Sequence, residues 1–475
     1  MNLRPMKFNI LILSFVLLTF RSFGQFGPER NLVNIIPAPA GSITPDVVMD
    51  NSGVVHMVYC KNQNAYYIRS TNNGATFSAP VQVNSSGTVE WNMGERGPKL
   101  AVGSDGVIHV VWMDHWSTGV YVYARYTRST NGGASFETLK SVSATYGVDG
   151  VSVAADGNGH VNVFWHTMVP VQSTIPQATW LHTVRSANNG VSFSADTNVV
   201  ITNLSALACS MCMTRARFAA DGSVNVVFRS AENNIRDFYV LKGNATSNNF
   251  TAIRVNTDNW YIDYCPMVGP ELEPCKGDKQ LCAFMSGGHV YWAVSDSGLT
   301  AFSLHVATPL NEADELFPTA VENNAGQVLF VWQVGPMSVT DSATVKWALY
   351  NINGTYAGQQ GTVGRTFSGT KTTAYVGTDN NFYIVTTADI LTAIHPVETV
   401  SAINIFPNPA KDKLTITGLE GKTNIKLFDA AGNLVVELNA GNSTDMDVSK
   451  LAAGDYTLLL DNGKQSVVKK VLIGK

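Results

Sequence analysis

Sulfur is where this chain gathers its most reactive side chains. The stretch CSMCMTR (Cys209–Arg215) places Cys209, Met211, Cys212 and Met213 close together, and NWYIDYCPM (Asn259–Met267) ends on Cys265 and Met267. Thiolates and thioethers are soft donors, so a set drawn from Cys209, Met211, Cys212, Met213, Cys265 and Met267 selects copper(I) over magnesium or calcium, with His166 able to add an imidazole. Two disulfides among Cys60, Cys209, Cys212 and Cys265 are the competing reading in an oxidising compartment. A c-type haem is disfavoured, because Cys212 is followed by Met213 and not by His. The last two cysteines, Cys275 and Cys282, flank KGDKQL. A hairpin around Gly277-Asp278 is expected to set them opposite each other as a local disulfide.

A second group of residues recurs at one position of a repeat. Seven residues after successive turn glycines stand Cys60, Met113, His166, Arg229 and Gln333, with Met285 near the equivalent place. Packing alone does not call for that variety, so the position reads as free to specialise. Adjoining segments add Asp114, His115 and Trp116, then Glu232 and Arg236, then His289, and also Trp91, Met93, Glu95 and Arg96. His56 and His109 behave differently. They share an earlier position with Asn162 and Asn225, and a polar group repeated in phase reads as a buried, satisfied scaffold residue.

The scaffold that must carry these residues is itself written as a repeat. STNNGATF (Ser70–Phe77), STNGGASF (Ser129–Phe136) and SANNGVSF (Ser186–Phe193) are near copies, and a looser one starts at Ser295. Ser and Asn bond nearby backbone and Gly takes positive φ, so each is expected to be a turn between strands, closed by a Phe that wedges into the layer beneath. Turns at Gly53, Gly106, Gly159, Gly222, Gly277, Gly326 and Asp379 recur roughly every 50–60 residues, a period suited to four short strands per unit. Units begin near Val47, Leu100, Val151, Ala216, Val268, Thr319 and Thr373. The fold expected is all-β, a β-propeller of about seven blades with six as the alternative. Asn31–Pro37 is expected to complete the seventh.

The octapeptides resemble the Asp box of sialidase-like β-propellers, with Asn where that family usually has Asp. The segment from the paired cysteines through RARFAADGSVNVVFRSAENNIRDFYV to DNWYIDYCPMVGPEL further resembles a group of bacterial sialidase-like propellers with a cysteine-rich loop. That likeness suggests that Cys209, Cys212, Arg229, Arg236, Asp237, Trp260 and Cys265 act as a unit. A sialidase holds its substrate carboxylate with three arginines, and uses a glutamate-activated tyrosine and an acid/base aspartate. The family's first arginine is missing here, where Asn34-Ile35-Ile36-Pro37 stands in its place. Arg96, Arg229 and Arg236 remain for a clamp, Asp114 for the acid, and Tyr261 or Tyr264 with Glu232 for the nucleophile pair. Trp260 and Tyr264 join Arg96, Asp114, His115, His166, Arg229, Glu232 and Arg236 as candidate ligand contacts.

Both ends of the chain read as addresses. Met1–Lys7 is basic, Phe8–Phe20 is apolar, and Ser22-Phe23-Gly24 offers a small-residue exit, so residues 1–24 read as a secretory signal peptide. From Ser401 the repeat stops, and IFPNPAKDKLTI, KLFDAAGNLV and LAAGDYTLLLDNGKQSVVKKVLIGK follow, the pattern of a small immunoglobulin-like β-sandwich. These motifs, at Phe406-Pro407-Asn408-Pro409, Leu414, Gly432, Gly454, Tyr456 and Lys469-Lys470-Val471-Leu472, resemble the C-terminal sorting domain of the type IX secretion system of Bacteroidota. Domains are therefore expected at 26–396 (propeller) and 401–475 (sorting domain). The likeness implies handling by that secretion machinery, and secretion or display at the outer-membrane surface. Only 14% of the 475 residues are charged and the net charge is −4, which argues against nucleic-acid binding. No stretch is long enough for a transmembrane helix.

Three functions fit these readings. One is a surface propeller that binds a glycan or protein, another an exo-α-sialidase or related glycoside hydrolase, and the last a copper-binding propeller built on the Cys/Met-rich loops.

Overall fold

A strand lying between two stacked sheets needs apolar residues on both faces, and the second strand of each repeat has them. Val55–Lys61 shows how the two faces divide: Val55, Met57 and Tyr59 enter one core layer, and Val58 and Cys60 enter the next. Ile108–Met113 and Val161–Thr167 are buried along their whole lengths. The result is a set of sheets packed face to face.

The computed structural model describes residues 32–91, 95–115, 122–144, 147–167, 178–205, 207–309, 312–336, 342–367, 370–387, 389–390, 404–419, 421–429, 434–462 and 466–474. The chain divides into two compact units, Met1–Thr362 with Thr366–Ala388, and Val363–Arg365 with Asp389–Lys475. The expected signal peptide, the linker around residues 393–401, Met93, Trp116 and Gly432 lie outside the described residues.

The larger unit is a β-propeller. Its described strands form seven sheets, whose innermost strands are Ile43–Met49, Lys99–Val102, Val148–Ala155, Arg215–Phe218, Glu271–Cys275, Glu315–Glu322 and Thr373–Val376. Each innermost strand packs beside the next, and Thr373–Val376 packs back against Ile43–Met49, which closes the ring. The fifth strand starts at Glu271, just after the expected Val268. In the last sheet Val33–Pro37 pairs in parallel with Phe382–Thr386, so residues from the two ends of the unit share one sheet.

The three octapeptides adopt one structure. In the first, Ser70 Oγ receives the Gly74 N–H at 2.9 Å, and Asn72 Oδ1 receives the Thr76 N–H at 3.0 Å. The same bonds recur at Ser129, Asn131, Gly133 and Ser135, and again at Ser186, Asn188, Gly190 and Ser192. Each turn locks onto the preceding sheet. Phe136 meets Tyr67 edge-on at 5.5 Å, and Phe193 meets Tyr126 at 4.7 Å. Gly133 has φ +84°, and a Cβ there would lie 2.0 Å from the Tyr67 ring, so both conformation and space require glycine. The tyrosine hydroxyls in turn bond His56 Nδ1 at 2.8 Å and His109 Nδ1 at 2.7 Å, which makes these histidines part of the scaffold.

The smaller unit is a two-sheet sandwich. Asn404–Phe406, Lys413–Thr417 and Ser443–Asp447 form one sheet, and Thr423–Phe428, Leu434–Ala440, Gly454–Asp461 and Ser466–Ile473 the other. Leu414, Ile416 and Met446 from the first pack with Leu427, Leu458 and Val471 from the second. Asn408 of the Phe-Pro-Asn-Pro motif accepts the Leu472 N–H at 2.8 Å, tying the unit's entry to its last strand.

Candidate functional site

The sulfur site is assembled by two loops that each lead into an innermost strand. Leu207–Cys209 runs antiparallel to the start of Ala178–Ser186 in the third sheet, and Ala208 also bridges to Ser230 of the fourth. The second loop is shaped by the buried carboxylate of Asp237. It pairs with Arg254, and accepts the Asn259 N–H at 3.2 Å and the Trp260 N–H at 3.4 Å. Tyr261 then bridges to Ile235, and the Ile262 N–H reaches Asn234 O at 3.0 Å. Soon after Ile262 the chain delivers Cys265 beside the first loop.

Three sulfurs meet there. Cys212 Sγ lies 3.5 Å from Cys209 Sγ and 3.2 Å from Cys265 Sγ, and all three sulfurs lie within 4.8 Å of one another. All three residues are buried, in a small core with Leu207 and Ala231 against which Trp180, Met211 and Met267 pack. Burial pushes the thiols of Cys209 and Cys265 well up. Cys212 goes the other way: burial opposes ionisation, but hydrogen bonding with Cys209 and Cys265, helped by the Arg229 guanidinium, holds its thiol well below the usual range. Three sulfurs this close form a soft-ligand set, and the bound form needs them deprotonated. Cys60 is not part of it. It ends the second strand of the first sheet, in a separate apolar layer.

The recurring position seven residues after the turn glycine has a structural explanation. His166 donates from Nε2 to the carbonyl of Cys212, Arg229 from Nη2 to Val268 O at 3.0 Å, and Gln333 from Nε2 to Thr370 O. Each acceptor lies three residues before the next sheet's first innermost-strand residue: Arg215, Glu271 or Thr373. The side chain clasps the loop that feeds the following sheet. His166, Arg229 and Gln333 reach the loop carbonyl, while Cys60, Met113 and Met285 are buried at or beside the equivalent position. Sequence alone could not separate this from specialisation for a ligand.

The remaining candidates are held by the fold. Arg96 makes a buried two-pronged pair with Asp149, its Nη2 2.6 Å from Oδ2. Asp114 is paired with Arg125 at 2.7 Å, and His115 with Glu90 at 3.1 Å. Arg229 also reaches the carbonyls of Arg236 and Met285 and lies 4.1 Å above the Phe238 ring and 5.4 Å from Trp260. Arg236 is buried and donates to Ile262 O and Asn234 Oδ1, both at 3.2 Å. Glu232 lies in a short 3-10 turn, and among the described residues no hydrogen bond joins it to Tyr261 or Tyr264, which are 68% and 58% exposed. Met211 and Met267 are half-buried against the sulfur cluster.

The expected disulfide between Cys275 and Cys282 is corrected by the register. Cys275 faces Lys279 and Cys282 faces Leu272, so the two lie an odd number of positions apart and point to opposite faces of the sheet. Cys282 packs in the core between the fourth and fifth sheets and Cys275 against that between the fifth and sixth, and both are free thiols.

A buried ionic group at the start of the innermost strands was missed from the sequence. Arg215 bridges Asp46 at 2.7 Å and Glu271 at 2.5 Å, and Lys371 bridges Glu271 at 2.8 Å and Glu95 at 3.4 Å. Glu95 also accepts the Gly269 N–H at 2.5 Å, tying the loop before the second sheet to the loop before the fifth. Nearby Lys99 is buried and pulled down to about 8, burial being the main cause. The available signal was a charged residue opening otherwise apolar runs, as in KLAV and RARF.

Residues 404–474 match the family described as the secretion system C-terminal sorting domain. The C-terminal unit is a type IX sorting domain. The chain is therefore secreted or displayed at the cell surface, and among the described residues no helix is long and apolar enough to cross a membrane. No curated protein matches the chain. Among solved structures, a protein of unknown function from Dyadobacter fermentans is similar at 14% identity and TM-score 0.45, over 64% of this chain and 93% of that one. An α-L-arabinofuranosidase from Fusarium graminearum, in complex with arabinobiose, is similar at 10% identity and TM-score 0.46, over 67% and 97%. The Hadza microbial sialidase Hz136 is similar at 12% and 0.41, over 77% and 71%. Likeness this distant assigns no chemistry.

Proposed function

We propose that this is an exported, surface-directed propeller that binds a soft monovalent metal ion, copper(I), at Cys209, Cys212 and Cys265. The observation that carries the reading is the convergence of three buried sulfurs from two separate loops within 4.8 Å of one another. Three sulfur donors suit copper(I). Structural zinc almost always takes four protein ligands, and the cluster among the described residues supplies three.

The hydrolase reading has less support. A clamp for an anionic sugar needs arginines facing a ligand, and Arg96, Arg229 and Arg236 are committed to Asp149 and to backbone carbonyls. The candidate acid, Asp114, is paired with Arg125. Binding of a glycan or protein at the loop surface has one supporting observation. Trp91, 36% exposed, stacks on His115 with the rings 8° from parallel, a platform of the kind a sugar ring can cover.

Anaerobic titration with copper(I) against a coloured chelator tests the main reading. One equivalent should transfer to the protein, and Cys212→Ser should weaken retention by more than about 100-fold, the upper end of what losing a mere outer-shell partner costs. Failure of the wild-type protein to compete for copper(I) would reject it.

A further inference from the structure

The sulfur cluster is buried, and two further sulfur-bearing side chains, both partly exposed, pack against it. Met211 lies between Cys209 and Cys212 in sequence, Met267 lies just after Cys265, and both pack half-buried against the cluster. The Met267 N–H also donates to Cys265 Sγ at 3.4 Å, which fixes its place relative to the thiols.

Both methionines occupy backbone that does not suit them. Met211 has φ +66° and Met267 φ +52°. For a residue with a Cβ the left-handed region is unfavourable, and glycine or asparagine relieves that cost. Of the thirteen other non-glycine residues described at positive φ, nine are Asn or Asp, and Thr44, Gln63, Leu299 and Phe317 are the exceptions. Each loop of the sulfur site adds one further exception, and both exceptions are Met. Unfavourable backbone retained beside a reactive cluster points to a role for the side chain it presents.

We infer that Met211 and Met267 are the entry step of the site, thioethers that capture copper(I) from solvent and pass it to Cys209, Cys212 and Cys265. The inference rests on the metal reading above. The transfer is ligand exchange: metal–thioether bonds break as metal–thiolate bonds form, the thiol protons of the cysteines that ligate the ion leave to water, and copper stays in its +1 state. A neutral thioether is the weaker donor, so it loads the ion without retaining it.

The test is the rate of uptake from the copper(I)–bicinchoninate complex, followed anaerobically by stopped-flow absorbance on the full chain. Met211→Leu/Met267→Leu keeps volume and apolar character, so the fold should tolerate it. The double variant should load more slowly by about tenfold or more while reaching the same endpoint, a change in rate at constant affinity. Met213→Leu, which removes a buried thioether from the same loop, should load at the wild-type rate. Unchanged uptake in the double variant, an equal slowing in Met213→Leu, or a fall in endpoint affinity matching the fall in rate would each overturn the relay. Wild-type protein that takes up no copper would instead remove the metal reading itself.

Discussion

The Nε2–H of His166 donates to the main-chain carbonyl of Cys212. A side chain near the end of one sheet's second strand thereby sets the backbone of the loop that carries Cys212. Scaffold and site share a residue. Arg229 and Gln333 make the same clasp onto later loops, so the site uses a device the propeller already needs.

His166→Leu and Gln333→Leu separate the two roles. Each leaves a loop carbonyl without its donor, so each should destabilise the propeller by about 1–3 kcal/mol in denaturant titrations. Only His166→Leu should also weaken copper(I), by about 10–100-fold, the usual cost of losing an outer-shell partner. Equal copper affinity in the two variants would show that the His166 clasp does not set the sulfur geometry.

The octapeptide turns predict a position-specific cost for glycine replacement. Gly133→Ala and Gly190→Ala each drive a Cβ into a tyrosine of the preceding sheet and strain a positive-φ backbone. Each should cost about 2 kcal/mol or more. Gly222 is the control, with φ +80° and nothing within 4 Å of the place a methyl would take, so Gly222→Ala should cost only its backbone share. Equal losses in thermal unfolding at all three sites would deny the turn-to-tyrosine lock.

The ionic group gives a signed pH dependence. Burial pushes the Glu271 carboxyl up, but Arg215, Lys371 and Arg217 together hold it well below the usual carboxylate range. A depressed folded pKa gives stability that is fully present above the unfolded value, about 4.3, and is lost progressively as pH falls from there through the lower folded value. Glu271→Gln should therefore cost about 3 kcal/mol at pH 7, because it leaves Arg215 with Asp46 alone and Lys371 with Glu95 alone in a buried setting. The deficit relative to wild type should shrink in acid. A deficit that stays constant from neutral pH to below about pH 4 would contradict a role for the ionised carboxylate.

The architecture was legible because its signals are local and repeated. Ser, Asn, Gly and Phe at fixed offsets specify the turns, and unbroken apolar runs specify strands buried on both faces. The nearness of Cys209, Cys212 and Cys265 followed from loop order once the ring was drawn. What escaped depended on side chains meeting across the ring. Arg96 finds Asp149, and Arg215 finds Asp46 and Glu271, over separations that no window of sequence displays. Cys275 and Cys282 escaped for a smaller reason, a register that puts an odd step between them.

The sorting domain should be dispensable for the propeller and required for its destination. The chain separates into two compact units, each with its own core. A variant ending before residue 401 should keep the propeller's cooperative unfolding, yet lose accessibility to protease added to intact cells. Full surface exposure of the truncated protein would contradict the role of the C-terminal unit.

The most direct measurement is X-ray absorption at the copper edge on protein loaded with one equivalent of copper(I). The expected result is a copper(I) edge with three sulfur scatterers around the metal and no nitrogen or oxygen at bonding distance. Cys212→Ser should abolish that sulfur signal. Scattering dominated by nitrogen or oxygen, or the same sulfur signal in Cys212→Ser, would contradict the assignment of Cys209, Cys212 and Cys265 as the ligands.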